Sequence, residues 1–210
     1  MSDLQREKFS RKHHQGRDTA VHEAGHVVAQ WIQGVPFQKV FMNDRGAPWY
    51  DSKLDDLDAM VQGDHVGEFG NSQWKDGREV KTSILQGTAE GYVRGCQQAF
   101  ITLAGAIAQA QYLNYGDAPL TLRMHADEAR SKLWFFSGID GQENGNECER
   151  ILHLVVRTFG DERVKRTVLT VAGVLYKYRY LEYEQCLAVI EAGWNNEKFT
   201  IIHPTYKDQQ

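Results

Sequence analysis

The sequence predicts a mainly α-helical fold with a small two- or three-stranded β-sheet, an α+β protein whose strands lie near the amino-terminal end. Apolar residues recur at helical spacing over most of the chain beyond residue 88, whereas the alternation typical of strands is limited to residues 37–42 and 65–69. The chain has 210 residues, of which 41% are hydrophobic and 25% charged. This composition is typical of a globular domain, and the length suffices to bury a substantial core.

The first predicted helix is capped by Asp18 or Thr19 and ends near Gln33, because Gly34 and Pro36 follow it. Four apolar residues recur within it at helical spacing and predict one buried stripe: Val21, Ala24, Val28 and Trp31. Five later helices are expected over residues 92–115, 125–137, 146–159, 161–178 and 181–193. Alanine and glycine are frequent in the first of these five, so another helix can approach it closely.

The expected organisation is one main domain, residues 18–194, between two terminal segments. Residues 1–17 are polar and basic and predict a flexible arm, either solvated or docked on an acidic partner. Residues 195–210 predict an exposed tail, and residues 70–77 predict a loop.

Residues 43–64 form an acidic insertion, in which six aspartates face only Arg45 and Lys53. Leu54, Leu57 and Val61 have the spacing to line a short amphipathic helix. The insertion is either a solvated excursion or a lid over a site.

Charge and cysteine usage exclude several classes of protein. The net charge of −4 is unfavourable for general nucleic-acid binding, so no nucleic-acid partner is expected. Three cysteines without CxxC spacing (Cys96, Cys148 and Cys186) argue against a disulfide scaffold and predict core packing in a reducing compartment. No apolar run reaches the ~20 residues that span a bilayer, and no signal peptide is evident. These features predict a cytoplasmic protein without a membrane partner.

The segment with chemical content is His22-Glu23-Ala24-Gly25-His26, an H-E-x-x-H motif on the first predicted helix. Residues four apart share a helix face, so His22 and His26 can offer two imidazole nitrogens to one Zn²⁺. Glu23 is placed to take the proton of a zinc-activated water. Given 8 His and 14 Glu, chance alone gives roughly 0.02 occurrences of the pattern. The motif therefore predicts a catalytic zinc site.

A catalytic zinc needs a third protein ligand. The extended H-E-x-x-H-x-x-G-x-x-H pattern fails, because Ala29 and Ile32 occupy its last two defined positions. A carboxylate from a later helix remains, and Glu90, Asp127 and Glu128 are the candidates by position. For Asp127 the competing interpretation is a carboxylate that stabilises the start of a helix through its dipole.

Three segments in order resemble the protease domain of the FtsH-type ATP-dependent zinc metalloproteases. Residues 19–31 resemble the family's zinc helix with its H-E-A-G-H signature, and residues 103–112 its alanine-glycine helix, L-A-G-R-x-A-E-E. Residues 125–130 resemble its S-N-D-x-x-x-A segment, whose aspartate is the third ligand. The resemblance covers about residues 18–193. It implies a helical peptidase domain with a zincin-type active-site helix.

By this resemblance, His22, His26 and Asp127 are the zinc ligands and Glu23 is the general base. Gln109 and Ala110 depart from the family pattern, which has an acidic pair there. His125 lies two residues from Asp127 and is expected to point away from the metal, exposed rather than in contact with a ligand. His65, His153 and His203 have no metal spacing and are expected at or near the surface.

The expected activity is zinc-dependent endopeptidase hydrolysis of unfolded or extended polypeptides. The chain contains no G-x-x-x-x-G-K-[ST] loop, so no ATPase module of its own is expected; a separate ATPase partner or a homo-oligomer is compatible with the family. A substrate strand is expected to add to a sheet edge at residues 65–69, with Val66, Gly67, Glu68 and Phe69 as substrate-binding residues. The rival hypothesis is a non-catalytic, zinc-stabilised interaction module, against which the intact Glu23 argues.

Overall fold

The computed structural model describes residues 3–42, 59–63, 69–75, 78–113 and 118–197. The described chain is mainly helical with little β-structure, which confirms the predicted fold class. Its helices are α1 (Asp3–Gln33), α2 (Ala89–Leu113), α3 (Ala118–Ser137), α4 (Gly141–Phe159), α5 (Glu162–Tyr178) and α6 (Tyr183–Asn195). Its strands are β1 (Phe37–Met42), β2 (Ala59–Gly63), β3 (Phe69–Lys75), β4 (Arg78–Ser83) and β5 (Tyr180–Glu182).

Helix α1 is the central element of the core. Its residues Val21, Ala24 and Val28 are buried as predicted, and Trp31 is partly buried against the same core. The helix packs against α2 on one side and α5 on another. It ends at Gln33, where the prediction placed its end.

The start of α1 differs from the prediction, because the helix begins at Asp3 rather than near residue 18. It thus includes most of the segment expected to be a flexible arm. Residues 3–15 contain no glycine or proline and are rich in Lys, Arg, Gln and Glu, all good helix formers. The role of this segment as an arm stays a prediction.

The larger sheet has the strand order β2-β1-β5, with β1 antiparallel to both neighbours. Strand β1 is confirmed at its predicted bounds. Val61 pairs with Val40 in this sheet, so its assignment to a short helix is wrong; Leu54 and Leu57 lie outside the described residues. Strand β5 has three residues, too few to show the alternation that predicts a strand.

Strands β3 and β4 form a separate antiparallel hairpin. The predicted loop at 70–77 is therefore wrong, since β3 runs from Phe69 to Lys75. Gly70, Asn71 and Ser72 have low strand propensity, but pairing with β4 overrides it. Of the strand predicted at 65–69, only Phe69 lies among the described residues.

The carboxy-terminal helices agree with the prediction within a few residues and have clear caps. The Asp140 carboxylate accepts a hydrogen bond at the start of α4, and the Asp161 carboxylate accepts two at the start of α5. Cys148 and Cys186 are buried, Cys96 packs against the core, and all three are free thiols. No helix in the described part of the chain combines the length and apolarity needed to cross a membrane. Most of the predicted tail lies beyond the last described residue, Glu197.

Helices α1 and α2 cross at very short range, as the small residues of α2 predict. A Cβ built on Gly25 lies 2.8 Å from the carbonyl oxygen of Ala104 and 2.9 Å from the Cβ of Ala108. It also lies 3.0 Å from the Cα of Gly105. Since real Cβ atoms do not approach backbone atoms so closely, any side chain at Gly25 forces the two helices apart.

We expect Gly25→Ala to lower the free energy of unfolding by about 1–3 kcal/mol, the range typical of overpacked cores. The matched control is Gly145→Ala on α4, where an added Cβ meets nothing within 4 Å. There the better helix propensity of alanine raises stability by about 0.5–1 kcal/mol. Urea denaturation of both variants measures the difference, and equal effects of the two substitutions contradict the close crossing.

Candidate metal centre

Three imidazole rings meet in one cluster formed by His22 and His26 of α1 and His125 of α3. The Nε2 atom of His22 lies 3.0 Å from Nε2 of His26 and 3.1 Å from Nε2 of His125. One ligand atom from each ring lies within 4.8 Å of the others. The cluster therefore joins two helices that are about 100 residues apart in the chain.

A hydrogen bond at Nδ1, the ring nitrogen that does not face the other imidazoles, orients each of the two α1 histidines. His22 Nδ1 lies 3.0 Å from Oε1 of Gln109, and His26 Nδ1 lies 2.7 Å from the carbonyl oxygen of Ile101. Both oxygens are acceptors, so both Nδ1 atoms donate. A neutral imidazole has one proton, which leaves a lone pair on each Nε2.

Two lone pairs 3.0 Å apart repel each other unless a cation lies between them. Zinc with ligand nitrogens at 2.0–2.1 Å in tetrahedral geometry gives N···N separations of about 3.3 Å. The observed 3.0 and 3.1 Å separations are close to that value. The three histidines can hold a metal ion, and their donor set fits zinc.

Burial keeps the α1 histidines neutral. It lowers the pKa of His22 to about 4, helped by repulsion from His125, whereas the hydrogen bond that His22 donates to Gln109 raises the pKa. It lowers the pKa of His26 well below its usual range, and the neighbouring imidazoles act in the same direction. At neutral pH both rings are therefore unprotonated at Nε2, which is the state that binds a metal.

Gly105 of α2 makes the space that the rings occupy. A Cβ at this position lies 2.5 Å from Nε2 of His26 and 2.9 Å from Nε2 of His22. Any residue other than glycine therefore displaces the imidazoles. The alanine-glycine character of α2 indicated close helix packing, but it did not indicate this contact with the rings.

Glu23 follows His22 on α1 and is 7% exposed. Burial raises the pKa of its carboxyl to about 8. A carboxyl group with a pKa near neutrality can both accept and release a proton under ordinary conditions.

The structure brings His125, rather than Asp127, to the two α1 histidines. The Asp127 side chain is 68% exposed and lies 3.8 Å from Arg130. The two residues do point in different directions, since they are separated by about 200° around the helix. The expectation that His125 points away from the α1 histidines is wrong. The assignment of Asp127 as third ligand stays a prediction, which the position of its exposed side chain does not favour. Glu90 and Glu128 are exposed.

The remaining predicted positions lie away from this cluster or outside the described residues. Val66, Gly67 and Glu68 are outside, and Phe69 is the first residue of β3. His153 is 77% exposed, as predicted, while His65 and His203 are outside.

The chain matches no protein-family model, and it matches no curated protein significantly. The resemblance to FtsH-type proteases therefore stays a prediction carried by the motifs alone. The geometry of the three histidines stands independently of it.

Loss of a residue that only supports a metal ligand typically weakens metal affinity by ~10–100-fold. We expect His125→Ala to weaken zinc affinity by more than this. Asp127→Ala is the control on the same helix and should leave the affinity unchanged, because its carboxylate lies in solvent. Zinc content after dialysis against graded chelators measures both. Loss of zinc from Asp127→Ala, with retention by His125→Ala, restores the aspartate as ligand.

Proposed function

We propose that this protein is a zinc-dependent metallopeptidase that cleaves unfolded or extended polypeptides. The observation that carries the proposal is a cluster of three imidazoles whose ligand nitrogens lie within 4.8 Å of one another, two of them from an H-E-x-x-H helix. Imidazole ligands suit zinc, and the glutamate within the motif supplies a base beside them.

The number of donors favours a catalytic over a structural site. Structural zinc sites have four protein ligands, whereas catalytic sites have three and leave one position open. Within the described ranges, the cluster contains three residues and no fourth His, Cys, Asp or Glu. A buried glutamate next to a ligand has a use in hydrolysis and none in a structural site.

Each residue of the centre has a distinct task in this mechanism. Bound zinc supplies Lewis acidity, which polarises a scissile carbonyl and lowers the pKa of water. His22, His26 and His125 would hold the ion. Glu23 accepts a proton from the attacking water and delivers it to the leaving amine nitrogen.

An extended substrate needs a strand edge to pair with, and the described strands offer such edges. Strand β4 packs against α3, the helix that carries His125. Within the described residues, β3 and β4 pair only with each other, so each has an outer edge where a peptide strand can add. Of the residues that the sequence predicts to bind substrate, Phe69 begins β3.

We expect Glu23→Gln to keep zinc and to lose at least ~100-fold in peptidase activity, since acid–base catalysis contributes ~10²–10⁴-fold. Glu128→Gln on the exposed face of α3 is the matched control and should retain activity. Cleavage of a broad peptide library by zinc-loaded protein measures both. Equal turnover by the Glu23→Gln variant rejects the mechanism, and no turnover by the wild type favours the non-catalytic interaction module.

We expect cleavage of casein-like unfolded chains without ATP and no rapid cleavage of a stable compact domain. A compact domain must first unfold, at about 5–15 kcal/mol, before its backbone can pair with a strand edge. Incubation of the purified protein with both substrates, with and without ATP, is the test. Strong ATP stimulation of the pure protein contradicts the absence of a nucleotide motif, whereas stimulation only by an added ATPase identifies a partner.

A further inference from the structure

Gln109 of α2 bridges two parts of α1 through its side-chain amide. Its Oε1 lies 3.0 Å from Nδ1 of His22. Its Nε2 donates to the backbone carbonyl oxygen of Asp18 at 3.1 Å. The amide is thus held at both ends by the helix that carries the H-E-x-x-H motif.

The second of these bonds fixes the direction of the first. A backbone carbonyl can only accept, so the amino group of Gln109 must face Asp18. Its carbonyl oxygen then faces His22 and can accept only from a protonated Nδ1. The Asp18 carbonyl therefore determines the orientation of the Gln109 amide, and that orientation determines which ring nitrogen of His22 carries the proton.

We propose that Gln109 is a positioning residue that holds His22 as the Nδ1–H tautomer and aims its bare Nε2 at the metal. The proposal rests on the metal centre of the proposed function, but it concerns a property that the metal-free protein already has. In the other tautomer, a proton on Nε2 occupies the place of the ion and must leave before the metal binds. His26 has its own acceptor in the Ile101 carbonyl and does not depend on Gln109.

Long-range ¹H–¹⁵N correlation of the metal-free, ¹⁵N-histidine-labelled protein at neutral pH reads the tautomers directly. In the wild type we expect the proton on Nδ1 and a bare Nε2 for both His22 and His26. Gln109→Leu should move His22 toward the Nε2–H form and leave His26 unchanged. Gln109→Glu supplies an acceptor of similar reach and should restore the wild-type pattern of His22.

The matched control is Gln111→Leu, the same substitution two residues further along α2. Gln111 is exposed and donates to the carbonyl oxygen of Val156, away from the histidines. It should change neither tautomer. A wild-type His22 with its proton on Nε2 overturns the proposal even if no variant folds, and so does a Gln109→Leu spectrum identical to the wild type.

Zinc affinity, measured by competition with a chromophoric chelator, gives the second readout. We expect Gln109→Leu to weaken binding by ~10–100-fold, as for other residues that orient a ligand, and Gln109→Glu to recover it. Unchanged affinity in Gln109→Leu contradicts the positioning role. If the tautomers follow this pattern but no peptide is cut, the proposed function fails and the role of Gln109 stands. If peptides are cut but the tautomers do not follow this pattern, the positioning role of Gln109 fails and the proposed function stands.

Discussion

The close crossing of α1 and α2 is the constraint on which the candidate centre depends. Gly25 of α1 packs against the backbone of α2 at distances that admit no side chain. Only at this separation can the α1 rings reach the carbonyl of Ile101 and the amide of Gln109. A wider crossing leaves both rings without the acceptors that orient them. Glycine lowers the helix propensity at this position, but it permits the close helix crossing on which the site depends.

The α2 residues that contact the two α1 histidines recur every four residues, which is also the spacing of His22 and His26. Ile101, Gly105 and Gln109 are four residues apart and lie on one face of the helix. Ile101 offers a carbonyl, Gly105 offers space, and Gln109 offers an amide oxygen. In a regular helix the Ile101 carbonyl pairs with the Gly105 amide, and its second lone pair is accessible because Gly105 has no side chain. One stripe of α2 therefore orients both histidines of α1.

The sequence was sufficient for the parts of this protein that depend on local pattern. The helical face and the end of the H-E-x-x-H helix, strand β1 and the carboxy-terminal helices follow from spacing and breaks that any short window shows, whereas the start of α1 does not. The third histidine of the cluster could not be obtained in this way. Choosing between His125 and Asp127 requires the rotation of α3 about its axis, which is set by packing against α2 and by a start at Ala118. The hairpin β3–β4 was missed for a related reason, because pairing between strands, rather than intrinsic propensity, stabilises it.

The charge of the centre follows from these same residues. An imidazole that binds a metal is neutral, and so is an amide, so three histidine ligands backed by Gln109 would leave a divalent ion with its full charge. A carboxylate ligand, such as the aspartate that the resemblance to the FtsH-type pattern implies, would neutralise part of that charge. Glu23 is the acidic residue of the H-E-x-x-H motif, and its side chain is buried. An uncompensated cation favours the ionised form of a nearby carboxyl, and it polarises a carbonyl more strongly than a neutralised one. A centre surrounded by His125 and Gln109, rather than by carboxylates, would therefore be the more electrophilic one.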